Sequence, residues 1–239
     1  MALGQISLTA GMRQNLISLQ KTNDLMEITQ TRLSTGKKVN TALDDPVKYF
    51  AALGHTQRAN DLAYRKSDMN EAIQTIKAAS NGIEAISGLI ESAKSLAQSA
   101  LSIDACATAS SQNATDRSAL ADQFNEVMNQ IDSLAADSGY KGVNLLDSGS
   151  LTVEYDENGD SSSTITGFDA SASGLAIDDD TTGWLANADV TGAVADLDTA
   201  RDTLRTKTKG LTTSLSTITT RLDFTKNMIN TLEDGAAKL

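Results

Sequence analysis

Residues 190–232 read VTGAVADLDTARDTLRTKTKGLTTSLSTITTRLDFTKNMINTL, and one stripe runs through them without a break. It comprises Val190, Val194, Leu197, Arg201, Leu204, Thr208, Leu211, Leu215, Ile218, Leu222, Thr225, Ile229 and Leu232. The spacing alternates four and three, and ten of these thirteen positions are apolar. A 3.5-residue repeat keeps one seam of a helix facing a partner, so the stretch predicts a long coiled-coil helix. Gly192 and Gly210 weaken it locally, by roughly 1 kcal/mol each against alanine.

Working outward, the partner helices come earlier in the chain. Met69, Ile73, Ile76, Ala79, Ile83, Ile86, Ile90, Ala93, Ala97 and Ala100 form a second heptad-like stripe with one irregular step. Its drift from Ile to Ala predicts closer helix approach at the far end. A Ser/Ala/Thr stretch over 107–115 breaks the pattern. Asp116 is placed to cap a third helix with Leu120, Phe124, Val127, Ile131 and Leu134 on one face, ended by Gly139 and Gly142. Among the first twenty residues only Arg13 is charged, while Leu8, Met12, Leu16, Ile17, Leu19, Leu25, Met26, Ile28 and Leu33 cover much of a helix circumference. A helix apolar nearly all round must be buried, either in an ordinary core or between subunits.

Between the third helix and the long seam the composition changes. There is no Lys or Arg between Lys141 and Arg201. Nine acids fall within 151–190, so most of the chain's formal charge of −11 sits in forty residues. This shift predicts a separate, solvent-facing insert. Within it LTVEY (151–155) and STITGF (163–168) flank an Asn158-Gly159 turn, the pattern of a β-hairpin. Residues 169–189, with the lone Trp184, read as irregular loop. Asp156, Asn158 and Asp160 stand at calcium-loop spacing, but Gly159 is misplaced and no Glu occupies the twelfth position, so solvated surface is the better reading.

The composition narrows the function. The chain has 239 residues, with 20 Lys+Arg, 31 Asp+Glu, one Pro, one Cys and one His. The acidic balance argues against a nucleic-acid binder. One Cys and one His exclude multi-cysteine or multi-histidine metal sites and a disulfide framework. No run reaches the roughly 20 apolar residues of a membrane helix. No cofactor-cradling loop, nucleophile elbow or metal-ligand pair is present, so neither a cofactor nor an enzyme is expected. His55 reads as a surface or interhelix residue, and Cys106 as a small residue at a helix end.

Arg32-Leu-Ser-Thr-Gly-Lys-Lys-Val-Asn-Thr-Ala-Leu-Asp-Asp-Pro46 carries the most specific signal. Gly36 ends the first helix, Asn40 and Asp44 make turns, and Asp45-Pro46 caps and starts the next helix. The whole stretch resembles the bacterial flagellin signature R-L-S-[ST]-G-x-[KR]-[IV]-N-x-A-x-D. Tyr140-Lys-Gly-Val-Asn-Leu-Leu146 is similar to the flagellin turn F-N-G-x-x-L-L, and Ile218-Thr-Thr-Arg-Leu-Asp-Phe224 resembles the returning I-x-x-R-L-x-x helix. The style looks like that of short alphaproteobacterial flagellins.

The resemblance implies a mainly α fold: a long antiparallel helical rod or coiled-coil bundle with a small β-hairpin-containing insert. Residues 1–36 would be an N-terminal inner helix of the filament, 37–147 and 190–239 the conserved rod, and 148–189 a small acidic exposed insert. The implied function is a structural subunit of the flagellar filament for swimming motility. It would be secreted by type III export to the cell exterior, with other flagellin subunits, an export chaperone and cap and junction proteins as partners, and with no nucleic acid and no membrane insertion. The hook–filament junction protein is the alternative. Leu8, Met12, Leu16, Leu19 and Leu33 would pack the filament core, and Leu211, Leu215, Ile218 and Leu222 the rod seam. Flagellins usually continue past the rod by roughly 35–40 residues, about 50–60 Å of helix. The expectation is that a C-terminal inner helix is missing and that 1–33 lacks its intramolecular partner. Finally, the Arg, Leu and Glu through which many flagellins engage an innate immune receptor align with Ser92, Leu96 and Gln123. Each lost charged hydrogen bond costs about 1.5–3 kcal/mol, so weak receptor activation is expected.

Overall fold

The computed structural model describes residues 9–104 and 112–239. Among them the order is α1 (Ala10–Thr35), α2 (Pro46–Leu101), α3 (Gln112–Asp137), β1 (Ser150–Glu154), β2 (Ser162–Thr166) and α4 (Asn187–Lys238). The mainly α expectation holds, with a single two-stranded sheet among the described residues. The chain divides into two units: residues 1–61 with 227–239, and residues 62–226.

The core of the second unit is the meeting of the predicted stripes. All ten positions from Met69 to Ala100 are buried. On α4, Val190, Leu197, Leu204, Leu211, Ile218 and Leu222 are buried, and Val194 and Leu215 pack half-buried against the same cluster. Cross-helix pairs fix the direction. Lys94 Nζ meets Asp198 Oδ1 at 2.6 Å and Arg201 Nη1 meets Glu91 Oε1 at 3.3 Å, so α2 and α4 run antiparallel. α4 is rich in threonine, a residue that slightly disfavours helix. Here the hydroxyls of Thr206, Thr208, Thr212, Thr213, Thr217, Thr219 and Thr220 each donate to the carbonyl four residues back, which satisfies them within the helix.

α3 differs from expectation in two ways. It begins at Gln112, so Asp116 lies one turn inside rather than at the cap, and its Oδ1 accepts from Gln112 Nε2 at 2.9 Å. Its buried face is Ala114, Arg117, Ala121, Phe124, Met128, Ile131 and Ala135. Phe124 and Ile131 were anticipated, whereas Leu120, Val127 and Leu134 are only half-buried at the flank. The buried face mixes alanines with the large side chains of Arg117, Phe124, Met128 and Ile131, and it is rotated from the expected one so that Leu120, Val127 and Leu134 flank it. Gly82 of α2 lets its neighbours come close: a Cβ there would stand 2.7 Å from Leu146 Cδ1 and closer still to Ser138 Oγ.

α3 ends in a well-specified turn. Asn144 Nδ2 donates to the carbonyls of Ala135 and Ala136 at 2.7 and 2.9 Å, and its Oδ1 accepts from Leu146 N at 2.9 Å. Tyr140 and Val143 exchange backbone hydrogen bonds around Lys141 (φ 48°) and Gly142 (φ 82°), a conformation in which the second residue favours glycine.

The acidic insert is where composition misled. β1 and β2 pair antiparallel, Leu151 opposite Ile165 and Val153 opposite Ser163. One face of the hairpin is buried through Val153, Tyr155 and Ile165. The following segment, 169–186, has no repeating structure, yet Ala170, Ala172, Leu175, Ile177 and Trp184 are buried in the same core as the helices. The insert is therefore not a free acidic knob. Its acids lie at the rim and its apolar residues are an integral part of the core. α3 holds the segment by its backbone: Asp132 Oδ1 accepts from Ala172 N at 2.7 Å, and Asn125 both donates to Asp180 O (2.8 Å) and accepts from Asp180 N (2.9 Å). Arg65 of α2 binds Glu154 at 2.7 Å, and Arg221 of α4 stacks 5.3 Å from the Tyr155 ring centre.

Candidate assembly surfaces

α1 is capped at its start by Thr9, whose Oγ1 accepts from Met12 N at 3.4 Å, and at its end by Gly36 in the left-handed region (φ 67°), with Gly36 N donating to Arg32 O at 2.9 Å. No residue of this 26-residue helix is buried. Met12, Leu16 and Leu19 are exposed, and Leu33 is 84% exposed, as are Ile17, Leu25, Met26 and Ile28 to lesser degrees. Leu8 lies outside the described residues, as does Cys106.

The turn between α1 and α2 is built by carboxylates. Asp44 Oδ2 accepts from Asn40 N at 3.1 Å and from Thr41 N at 3.0 Å, and these backbone donors hold its pKa below the ordinary 3.8. Asp45 Oδ1 accepts from Lys48 N at 3.2 Å, with an ion pair to Lys48 Nζ at 3.1 Å, and Pro46 opens α2. Gly36, Asn40, Asp44, Asp45 and Pro46 thus lie together at the turn between the two helices.

Of the seam residues, Leu211, Ile218 and Leu222 are buried and Leu215 is half-buried. Ser92 and Gln123 are exposed, and Leu96 is half-buried. His55 is exposed on α2. In the hairpin loop Asp156 Oδ1 accepts from Ser161 N at 3.0 Å, which closes the loop and draws the Asp156 pKa down. No group of three or more potential metal ligands exists among the described residues, and no described helix is long and apolar enough to cross a membrane.

One residue escaped the sequence reading. Arg117 is fully buried. Its Nε donates to Trp184 O, and Nη1 donates to Ala100 O (3.1 Å), Ile103 O (2.8 Å) and Asn187 Oδ1 (2.9 Å). The guanidinium thus joins the C-terminal end of α2, the start of α4 and the segment before it. A cation suits carbonyls left unpaired at a helix C-terminus. The signal was available: Arg117 continues the four–three register of Ala121, Phe124, Met128, Ile131 and Ala135.

Comparison with known proteins agrees with this architecture. The profile of the bacterial flagellin N-terminal helical region matches residues 6–150. The chain is similar to flagellin FljK of Caulobacter vibrioides, at 27% identity over 240 residues covering all of this chain and 85% of the relative. It is similar to flagellin FljM of the same organism at 26% with the same coverage. The crystal structure of Bacillus cereus flagellin superposes with a TM-score of 0.52 at 18% identity, over 66% of this chain and 88% of that one, a likeness of fold. The family match over well more than half the chain, on helices and turns whose geometry fits it, places the chain in the bacterial flagellin family.

Proposed function

We propose that this flagellin, a structural subunit that polymerises into the flagellar filament, assembles chiefly through α1. The supporting observation is that α1 buries nothing in the isolated chain although Met12, Leu16, Leu19 and Leu33 are large and apolar. Surface of this kind is stabilised by partner copies. In this reading residues 1–36 line the filament core, and 37–147 with 190–239 form the conserved rod. Residues 148–189 cover the rod on its solvent side. Leu211, Leu215, Ile218 and Leu222 hold the seam within each subunit. The role is packing, not catalysis. The growing filament needs two different contact faces per subunit, because a contact that does not close on itself extends indefinitely.

An export chaperone shields the apolar helix before assembly, cap and junction proteins meet the ends of the filament, and the assembled protein lies outside the cell. The hook–filament junction reading has no comparable support, since the relatives bear the name flagellin. With Ser92 and Gln123 in place of charged residues, receptor activation is weak.

The test is polymerisation of the chain carrying Leu16→Ser and Leu19→Ser, followed by electron microscopy and sedimentation. Filaments from the chain extended by a flagellin C-terminal helix, and their loss when the two substitutions are added with an unchanged monomer melting temperature, are expected. Equal polymerisation of both would remove α1 from the interface.

A further inference from the structure

The chain holds two Asn-Gly pairs, Asn81-Gly82 and Asn158-Gly159. In this dipeptide an asparagine side chain is most open to attack by the next backbone nitrogen, because glycine puts no Cβ in the way. Both asparagines are exposed, but their backbones differ. Asn81-Gly82 lies inside α2, where the N–H at position 82 belongs to the ladder of bonds to the carbonyl four residues back. Gly82 is buried against Ser138 and Leu146, so the chain there has no room to swing toward its side chain. Asn158-Gly159 lies in the loop between β1 and β2. Gly159 is left-handed (φ 79°), and the atoms nearest to where a Cβ would stand are those of the Glu154 carboxylate, at 3.8 Å. The loop is closed by Tyr155 N donating to Ser161 O at 2.8 Å and by Ser161 N donating to Asp156 Oδ1 at 3.0 Å. The amides of Asp160 and Gly159 contribute more weakly to the same carboxylate. A base thus stands beside the N–H that must give up its proton.

We propose that Asn158-Gly159 is a self-modification site, at which the hairpin loop converts its asparagine to aspartate and isoaspartate, and that α2 protects Asn81-Gly82 from the same reaction. The Gly159 nitrogen bonds to Asn158 Cγ and the Cγ–Nδ2 bond breaks. The proton from Gly159 leaves with the side-chain nitrogen as ammonia, and a cyclic imide remains. Water then opens the imide. Breaking the new bond to Cγ gives aspartate, and breaking the bond to the Asn158 backbone carbonyl carbon gives isoaspartate. Either product adds a negative charge to a loop that already holds Asp156, Glu157 and Asp160, and isoaspartate also lengthens the main chain by a methylene. Arg65 of α2 ties this loop down, through Glu154 at 2.7 Å and Asp156 O at 3.1 Å, so the change falls where the hairpin is attached. The reaction needs no second copy, so it is independent of the assembly reading and can be followed in the unpolymerised chain.

The experiment incubates the folded chain in mildly alkaline buffer and maps its peptides by mass spectrometry over several weeks, with isoaspartate counted by methyl transfer from a protein isoaspartate methyltransferase. A second sample is kept unfolded in guanidinium chloride, and Asn158→Ser serves as the blank for the loop peptide. Asn158 is expected to convert about a hundredfold faster than Asn81 in the folded chain, because α2 must first open locally at Gly82. In guanidinium chloride the two rates should converge, since both backbones are then free. Equal rates at the two sites in the folded chain would overturn the proposal. So would an Asn158 that stays intact in the folded chain for as long as the unfolded chain takes to convert.

Discussion

Arg117→Ala offers the sharpest test of how the second unit is held together. The guanidinium serves four acceptors: Trp184 O, Ala100 O, Ile103 O and Asn187 Oδ1. The bonds to Trp184 and Ala100 are buried, and those to Ile103 and Asn187 are part-buried, where water replaces the lost donor. Leaving two buried carbonyls unpaired costs about 1–3 kcal/mol each. Relief of the desolvated cation offsets part of this, because no carboxylate compensates its charge in these contacts. A net loss of about 3 kcal/mol follows. For a unit of this size, about 1 kcal/mol moves the melting temperature by roughly 2–4 °C, so a drop of about 6–12 °C is expected. Arg117→Lys keeps the charge but not the planar fork that reaches Trp184 and the α2 carbonyls together, so it should recover only part of the loss. The assay is thermal unfolding followed by far-ultraviolet circular dichroism and by the fluorescence of Trp184, which is 1% exposed and packs 5.0 Å from the Phe124 ring centre. A native-state red shift of Trp184 should accompany the alanine variant. A melting temperature within about 2 °C of the parent, with Trp184 emission unmoved, would refute the role given to Arg117, since about 1 kcal/mol or less would then separate the two.

Three other outcomes follow from the same contacts. Asn125→Ala removes both hydrogen bonds to the Asp180 backbone, so it should cost about 1–2 kcal/mol and speed limited proteolysis within 169–186, read by mass spectrometry. Gly82→Ala forces a methyl against Ser138 and Leu146 and should destabilise by about 1–3 kcal/mol in denaturant titration, although alanine is the better helix former. The Asp198 pKa lies below the ordinary 3.8, chiefly because Lys94 donates to its carboxylate. A lowered folded-state pKa gives stability that is present above the unfolded value and lost as pH falls through the folded one. Stability should therefore decline below about pH 4, and Asp198→Asn should flatten that decline in melting curves taken across the acid range.

The sequence by itself determined the helices that meet along heptad stripes and the turns that join them. Periodicity sufficed for α2 and α4 because each stripe has one apolar seam and a polar remainder, and a seam that repeats every 3.5 residues has only one way to be buried. Gly36, Asp45-Pro46 and Gly142 were legible because each answers a local demand: a left-handed backbone, an unpaired helix start, a tight reversal. Tertiary structure alone decided the rest. The burial of Trp184, Leu175 and Ile177 follows from no repeat, since an irregular segment is fixed by hydrogen bonds from side chains such as Asn125 and Asp132, which lie far away in sequence. The facing of α3, through Arg117, Ala121 and Met128 rather than Leu120, Val127 and Leu134, depends on partners that a single helix does not encode. Arg117 sat in the apolar register all along, but its meaning came only when the chain brought the end of α2 and the start of α4 to it, because a buried cation is tolerated where enough carbonyl oxygens converge.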